Sequence, residues 1–160
     1  MIVYIDSAAN ITEDKLKGFF VGWLNPPSPE THLKILNNSD YIELAIDNQT
    51  GNVVGFITAI SDGVLSAYIP LFEVLPKYQG RGIGNELMNR MLAKLGDLYM
   101  VDLICDEKTQ DFYKNFGMQK AFGMMIRNFK KQSGRFVSGR RHEAVPKVYL
   151  NIELSGIFGF

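Results

Sequence analysis

The sequence lacks a second cysteine: Cys105 stands alone among 160 residues, so no internal disulfide can form. It holds only two histidines, His32 and His142, too far apart to form a Cys/His set with zinc-site spacing. No apolar run approaches the ~20 residues that a membrane-spanning helix needs, and the opening MIVYIDSAAN shows no basic stretch followed by an apolar one. These absences argue against metal, membrane and secreted readings and lead to the expectation of a cytoplasmic chain. Net charge is lacking too, with 17 Lys and Arg against 17 Asp and Glu. The balance conceals a gradient, because residues 1–80 carry 4 basic against 9 acidic side chains and residues 81–160 carry 13 against 8. Between Arg127 and Lys147 seven basic residues face only Glu143. A nucleic-acid partner is nevertheless not expected there, since the stretch has few aromatics to stack on bases and no recognisable reading element. What the chain has in quantity is apolar matter, 46% hydrophobic and 12% aromatic, enough for one domain with an ordinary core.

Periodicity predicts the elements. Residues 2–6 alternate as a short strand. Thr12, Glu13 and Asp14 then open an amphipathic stretch with Leu16, Phe19, Phe20 and Trp23, which predicts a helix. Ser28 as cap, Pro29 in the first position and Glu30 in the first turn predict a second helix through Leu36. Residues 41–47, the turn 48–51 and residues 53–60 read as an antiparallel hairpin, and residues 67–75 as a third strand ending at Pro76. Ile83, Leu87, Met88, Met91, Leu92 and Leu95 form the stripe of a helix packed on a sheet, with Gly96 as its stop. A strand at 99–105, a helix at 107–116 with Gly117 as a left-handed cap, and a strand near 118–127 follow. Residues 130–141 read as a basic loop, and 145–154 as a last strand that joins the same domain or a homodimer interface.

One segment carries chemistry: Gln79-Gly80-Arg81-Gly82-Ile83-Gly84, between a strand and the strong helix. Glycines at alternate positions let a ligand come close to the backbone, and a helix start offers unpaired N–H groups and a positive dipole end, so the segment predicts an anion cradle. It is not a nucleotide P-loop, for no Lys-Ser or Lys-Thr follows the glycines. Nor is it a dinucleotide fingerprint, because Leu87 stands where the third glycine belongs.

These residues match the Q/R-x-x-G-x-G/A signature, and the chain resembles the GNAT superfamily of N-acetyltransferases. The segment Phe112-Tyr113-Lys114-Asn115-Phe116-Gly117-Met118 is similar to that family's second motif. The resemblance covers residues 2–127 and implies an α/β (α+β) fold, a mixed and mostly antiparallel sheet flanked by helices. The domain would span residues 1–129, followed by the tail 130–160. It implies acetyl-CoA as acyl donor, no metal, and direct transfer to a primary amine of a small molecule or peptide. The alternative is a CoA-binding module of the same fold, with little catalysis, acting through a partner. By resemblance the main chain of Gln79, Gly80, Arg81, Gly82, Ile83, Gly84 and Asn85 would meet the pyrophosphate. Phe72 and Val74 would present main-chain groups to the pantetheine arm. Tyr113 would protonate the departing thiolate, or else serve as a core aromatic. Asp106 stands where the second motif often has asparagine. The general base stays open among Glu43, Glu73, Tyr68 and water.

Overall fold

A computed structural model describes residues 1–135. Strand β1 (Ile2–Ile5) is followed by a loop, helix α1 (Pro29–Asn37), and strands β2 (Tyr41–Asp47), β3 (Asn52–Ser61) and β4 (Ser66–Val74). Helix α2 (Ile83–Leu95), strand β5 (Met100–Leu103) and helix α3 (Gln110–Lys114) complete the regular elements. The sheet runs in the order β1-β2-β3-β4-β5. Its first four strands pair antiparallel, and β4 pairs with β5 in parallel, the crossover being α2. The expected mixed, mostly antiparallel sheet flanked by helices is thus the observed one.

Both faces of the sheet are covered, so β3 reads as a continuous buried run from Val53 to Ala59. On one face α2 lays Ile83, Leu87, Met88, Met91 and Leu95 against Ala45, Ile57 and Ile69. Each such side chain contributes about 1.5–3 kcal/mol of transfer free energy before entropy is counted. On the other face Leu16, Phe19, Phe20 and Leu36 pack on Leu44 and Phe56. Helix α1 begins as its sequence dictates, with Pro29 first and the Ser28 hydroxyl accepting the Thr31 N–H at 3.2 Å.

The helix expected over Thr12–Trp23 does not form. Only Glu13–Lys15 make a 3-10 turn, and then Gly18, Phe20 and Gly22 all take left-handed φ, at 89°, 63° and 82°. Alternate left-handed positions cannot propagate a right-handed helix. What holds this path is tertiary: the Glu73 carboxylate on β4 accepts the N–H groups of Phe20 and Val21 at 2.7 and 3.1 Å. The apolar stripe still faces the core, but from a loop.

Two other expectations need correction. No strand forms over 118–127: the segment does not pair with the outer edge of β5, Gly123 interrupts the run, and Phe122, Met124 and Ile126 stand exposed. The helix expected over 107–116 is a 3-10 turn at Glu107–Thr109 followed by the short α3. Gly96 ends α2 as expected, at φ −63°, and Gly117 takes the expected left-handed turn at φ 79°. The basic stretch from 130 opens with a 3-10 turn at Phe129–Lys131; the expected strand 145–154 lies outside the described residues.

The feature that positions the site lies in β4. Thr58 pairs with Leu71 and Ile60 with Tyr68, so Ile69 and Pro70 together face Ala59 in a bulge. Pairing with β5 ends at the same place, at Ile69 with Leu103. Pro70, which has no N–H to give, marks the divergence. From Pro70 to Val74, β4 runs on beside a gap that β5 no longer fills.

Candidate active site

The gap has a cavity on each side. One, of about 560 Å³, is lined by Val74, Gln79, Gly80, Gly82, Ile83, Gly84 and Asn85, with Lys108, Thr109 and Phe112 opposite. The other, of about 310 Å³, is lined by Phe20, Trp23, Phe56, Tyr68, Glu73 and Tyr113, among others. Phe72 lines both.

The first cavity is built from main chain. The Leu75 N–H bonds to the Val54 carbonyl at 2.9 Å. In an antiparallel ladder this makes Glu73 and Leu71 the next residues bonded to β3, so Phe72 turns its main-chain groups toward the gap and Val74 its N–H, the Val74 carbonyl being taken by the Gln79 side chain. Gly80 and Gly82 have φ 71° and 78°, and a Cβ on either would meet nothing within 4 Å, so both border open space. Gly84 sits against the aromatic wall instead: a Cβ there would lie 3.4 Å from Phe72 and 3.7 Å from Phe112, in ordinary contact. The first intrahelical bond of α2 is Glu86 N–H to the Gly82 carbonyl, which leaves the N–H groups of Ile83, Gly84 and Asn85 without a helical acceptor at the cavity's rim.

Gln79 behaves otherwise than expected. Its N–H goes to the Pro76 carbonyl at 3.2 Å and its side chain donates to the Val74 carbonyl at 2.9 Å, so it ties the loop to β4 rather than offering its N–H outward. Arg81 lies over the Tyr78 ring, 5.1 Å from its centre, and the Tyr78 hydroxyl donates to Asp47 at 2.8 Å. Tyr78, Lys108 and Thr109 were missed from sequence. Lys108 and Thr109 sit 24 or more residues beyond the glycine loop, a separation without a pattern of its own. Asp106 lines neither cavity; burial pushes its carboxyl up, and its carbonyl accepts the Thr109 N–H at 3.0 Å.

The second cavity is built from side chains. Tyr113 is 6% exposed, stacked edge-on against Phe112 at 5.2 Å. Burial, and then the neighbouring Cys105, push its hydroxyl far above the usual tyrosine value, so it stays protonated. Glu73 is also 6% exposed; burial pushes its carboxyl up, and the Phe20 and Val21 N–H bonds oppose that. Tyr68 lines the same cavity. Glu43 does not: it sits on the α2 face, 3% exposed, in an ion pair with Lys94 at 2.8 Å. That contact removes Glu43 from the candidate bases. Beneath Phe20 lies His32, 1% exposed, ringed by Phe19, Phe20 and Phe56 at 4.3–5.1 Å, with neither ring nitrogen hydrogen-bonded. Burial lowers its pKa to about 4. Among the described residues no group of three or more His, Cys, Asp and Glu is placed to hold a metal ion.

A sheet opened after its fourth strand, with a glycine cradle at the next helix start, is the arrangement that the resemblance to N-acetyltransferases implied, and comparison with known proteins agrees. An acetyltransferase crystal structure from Deinococcus radiodurans R1 is 44% identical, with TM-score 0.80 over 82% of this chain and 92% of that one. A GNAT family acetyltransferase from Streptococcus pneumoniae TIGR4 is 29% identical, with TM-score 0.65 over 80% of this chain and 98% of that one. The uncharacterized N-acetyltransferase ycf52 of Porphyra purpurea is 27% identical over 123 residues, 74% of this chain and 71% of that protein. Residues 8–118 match the model of the Acetyltransferase (GNAT) family, and the chain belongs to that family of N-acetyltransferases.

Proposed function

We propose that the chain moves the acetyl group of acetyl-CoA directly to the primary amine of a small molecule. The observation that carries this reading is the meeting of two differently built cavities at Phe72, where β4 parts from β5. The donor cavity fits a diphosphate-bearing ligand: it joins two open glycine positions, three helix-start N–H groups, and Lys108, with Arg81 held close by on Tyr78. Acetyl-CoA would supply a thioester there, an acyl group on a good leaving thiol.

The chain's residues then have separable tasks. Gly80 to Asn85 hold the diphosphate, and the main chain of Phe72 and Val74 holds the arm beside β4 and polarises the acyl carbonyl. The amine must lose a proton, since a free alkylamine near pKa 10 is almost wholly charged at pH 7. Of the two side chains left as candidates, Glu73 is the better acceptor of that proton, because its carboxylate has lone pairs free of the Phe20 and Val21 bonds and borders the cavity. As nitrogen bonds to the carbonyl carbon and the carbon–sulfur bond breaks, the Tyr113 hydroxyl donates to the departing sulfur. The hydroxyl keeps its proton and so cannot serve as a base; the burial that does this also weakens it as an acid, so donation depends on the negative charge forming on sulfur.

The reading is tested by calorimetric titration with acetyl-CoA together with thiol release over an amine panel. Binding and amine-dependent release of thiol are expected; tight binding with no release across the panel would leave only the CoA-binding module.

A further inference from the structure

Among the described residues the buried Glu73 carboxylate has no cationic partner. None of their ion pairs includes it, and the bonds it makes there are to the Phe20 and Val21 N–H groups, one to each oxygen. A carboxylate accepts at about four lone-pair positions, so half of its capacity remains, and it borders the 310 Å³ cavity. Carboxylates are rarely buried without a cation. The same cavity is bordered by Arg127, whose Nη1 donates to the adjacent Ile126 carbonyl at 3.3 Å and which meets no carboxylate among the described residues. Its planar fork is matched to a carboxylate. The remaining walls are largely apolar or aromatic, including Phe20, Trp23, Leu71 and Phe129.

An anion, a cation and an aromatic wall around one small space describe a zwitterion with an apolar body. We propose that the acceptor is a free α-amino acid with an apolar or aromatic side chain, its ammonium on Glu73, its carboxylate on Arg127 and its side chain among Phe20, Trp23 and Phe129. The proposal rests on the acetyl-transfer reading and names its acceptor. A cavity of 310 Å³ lies at the small end of ligand sites and suits a single residue. A wider groove of about 1190 Å³ adjoins it through Phe20, Trp23 and Gln132, so a peptide N-terminus is the rival occupant. In a peptide, however, the α-carboxylate has become an amide, and Arg127 would lose its match. The transfer balances: the ammonium gives one proton to Glu73, nitrogen bonds to the acetyl carbon as the carbon–sulfur bond breaks, and the second proton that nitrogen sheds replaces the one Tyr113 donates to sulfur, so CoA leaves as the thiol. The product has no ammonium, so it loses its hold on Glu73 and can depart.

Trp23 is the only tryptophan of the chain and borders the cavity, so its fluorescence reports binding without turnover. The full chain with CoA present is titrated with L-phenylalanine, L-phenylalaninamide, phenethylamine and a peptide beginning with phenylalanine. Phenylalanine is expected to bind at least about tenfold tighter than the other three, a margin in keeping with loss of a charge-assisted pair. In Arg127→Gln, an exposed and therefore foldable change, that margin falls to near one. Equal or tighter binding of the amide, the amine or the peptide overturns the proposal, as does an unchanged margin in Arg127→Gln. Thiol release from acetyl-CoA over the same compounds separates the two readings. Preferred binding of phenylalanine with no release from any compound sinks acetyl transfer and keeps the ligand class. Release that favours phenethylamine or the peptide keeps acetyl transfer and sinks the ligand class.

Discussion

The two cavities that meet at Phe72 are made of different material. The donor side is main chain: left-handed glycines, the first N–H groups of α2 and the free run of β4. The acceptor side is side chain, with Phe20, Trp23, Tyr68, Glu73 and Tyr113 brought in from three separate parts of the sequence. A main-chain site can be written only one way, because close backbone approach and positive φ require glycine at fixed spacing. A side-chain site needs only shape and charge, which many sequences supply. On the proposed reading, main-chain shape holds the donor, and side-chain shape and charge choose the acceptor.

The largest expected effect lies on the acceptor side. Tyr113→Phe should lower kcat by about 10²-fold with little change in affinity for acetyl-CoA, as removal of a positioned proton donor does. Wild-type turnover in that variant would return Tyr113 to the core. Next comes the dry aromatic floor under Phe20. His32 is held neutral in the fold, with its pKa lowered from 6.5 to about 4, so its stabilising contribution is complete above pH 6.5 and lost as pH falls toward 4. Between pH 7 and 4.5 the loss should be roughly 2 kcal/mol. Urea unfolding at both pH values measures it, and His32→Leu should remove this part of the pH dependence; an unchanged slope in that variant would show that other groups govern it.

On the donor side, Gly82→Val should weaken acetyl-CoA binding by about tenfold, near 1.4 kcal/mol, because φ 78° strains a β-branched residue where the ligand passes. Calorimetry of the folded variant decides, and unchanged affinity would mean that the cradle is ornamental. The smallest effect belongs to Lys108→Ala, a solvent-facing charge worth about threefold in the same affinity. If Lys108 proved more costly than Gly82, side-chain charge would outrank main-chain shape on this side as well.

The same division explains what could be read from sequence. The hairpin, the third strand, α2 and the glycine cradle follow from alternation, a 3.6-residue stripe and glycine spacing, all local signals. The stretch from Thr12 to Trp23 carries a helical stripe yet folds as a loop, because Glu73, more than 50 residues away, captures two of its N–H groups while Gly18 and Gly22 permit the turns. Nothing within the stretch announces that distant carboxylate. Likewise Glu43 and Glu73 occupy equivalent-looking places on strands, and only the sheet's two faces tell them apart: one meets Lys94 and the other a cavity. The bulge at Ile69 and Pro70 sets that parity, and proline is its one visible trace.

The central claim is that donor and acceptor occupy opposite sides of the β4 gap together and react directly across it. Initial rates of thiol release, with acetyl-CoA and the amine varied against each other, test this most directly. Simultaneous occupancy gives double-reciprocal lines that intersect, and omission of the amine gives no burst of thiol. Parallel lines with an amine-independent burst would mean that the chain itself carries the acetyl group, with Cys105 beside Tyr113 the first residue to examine, and would contradict the account.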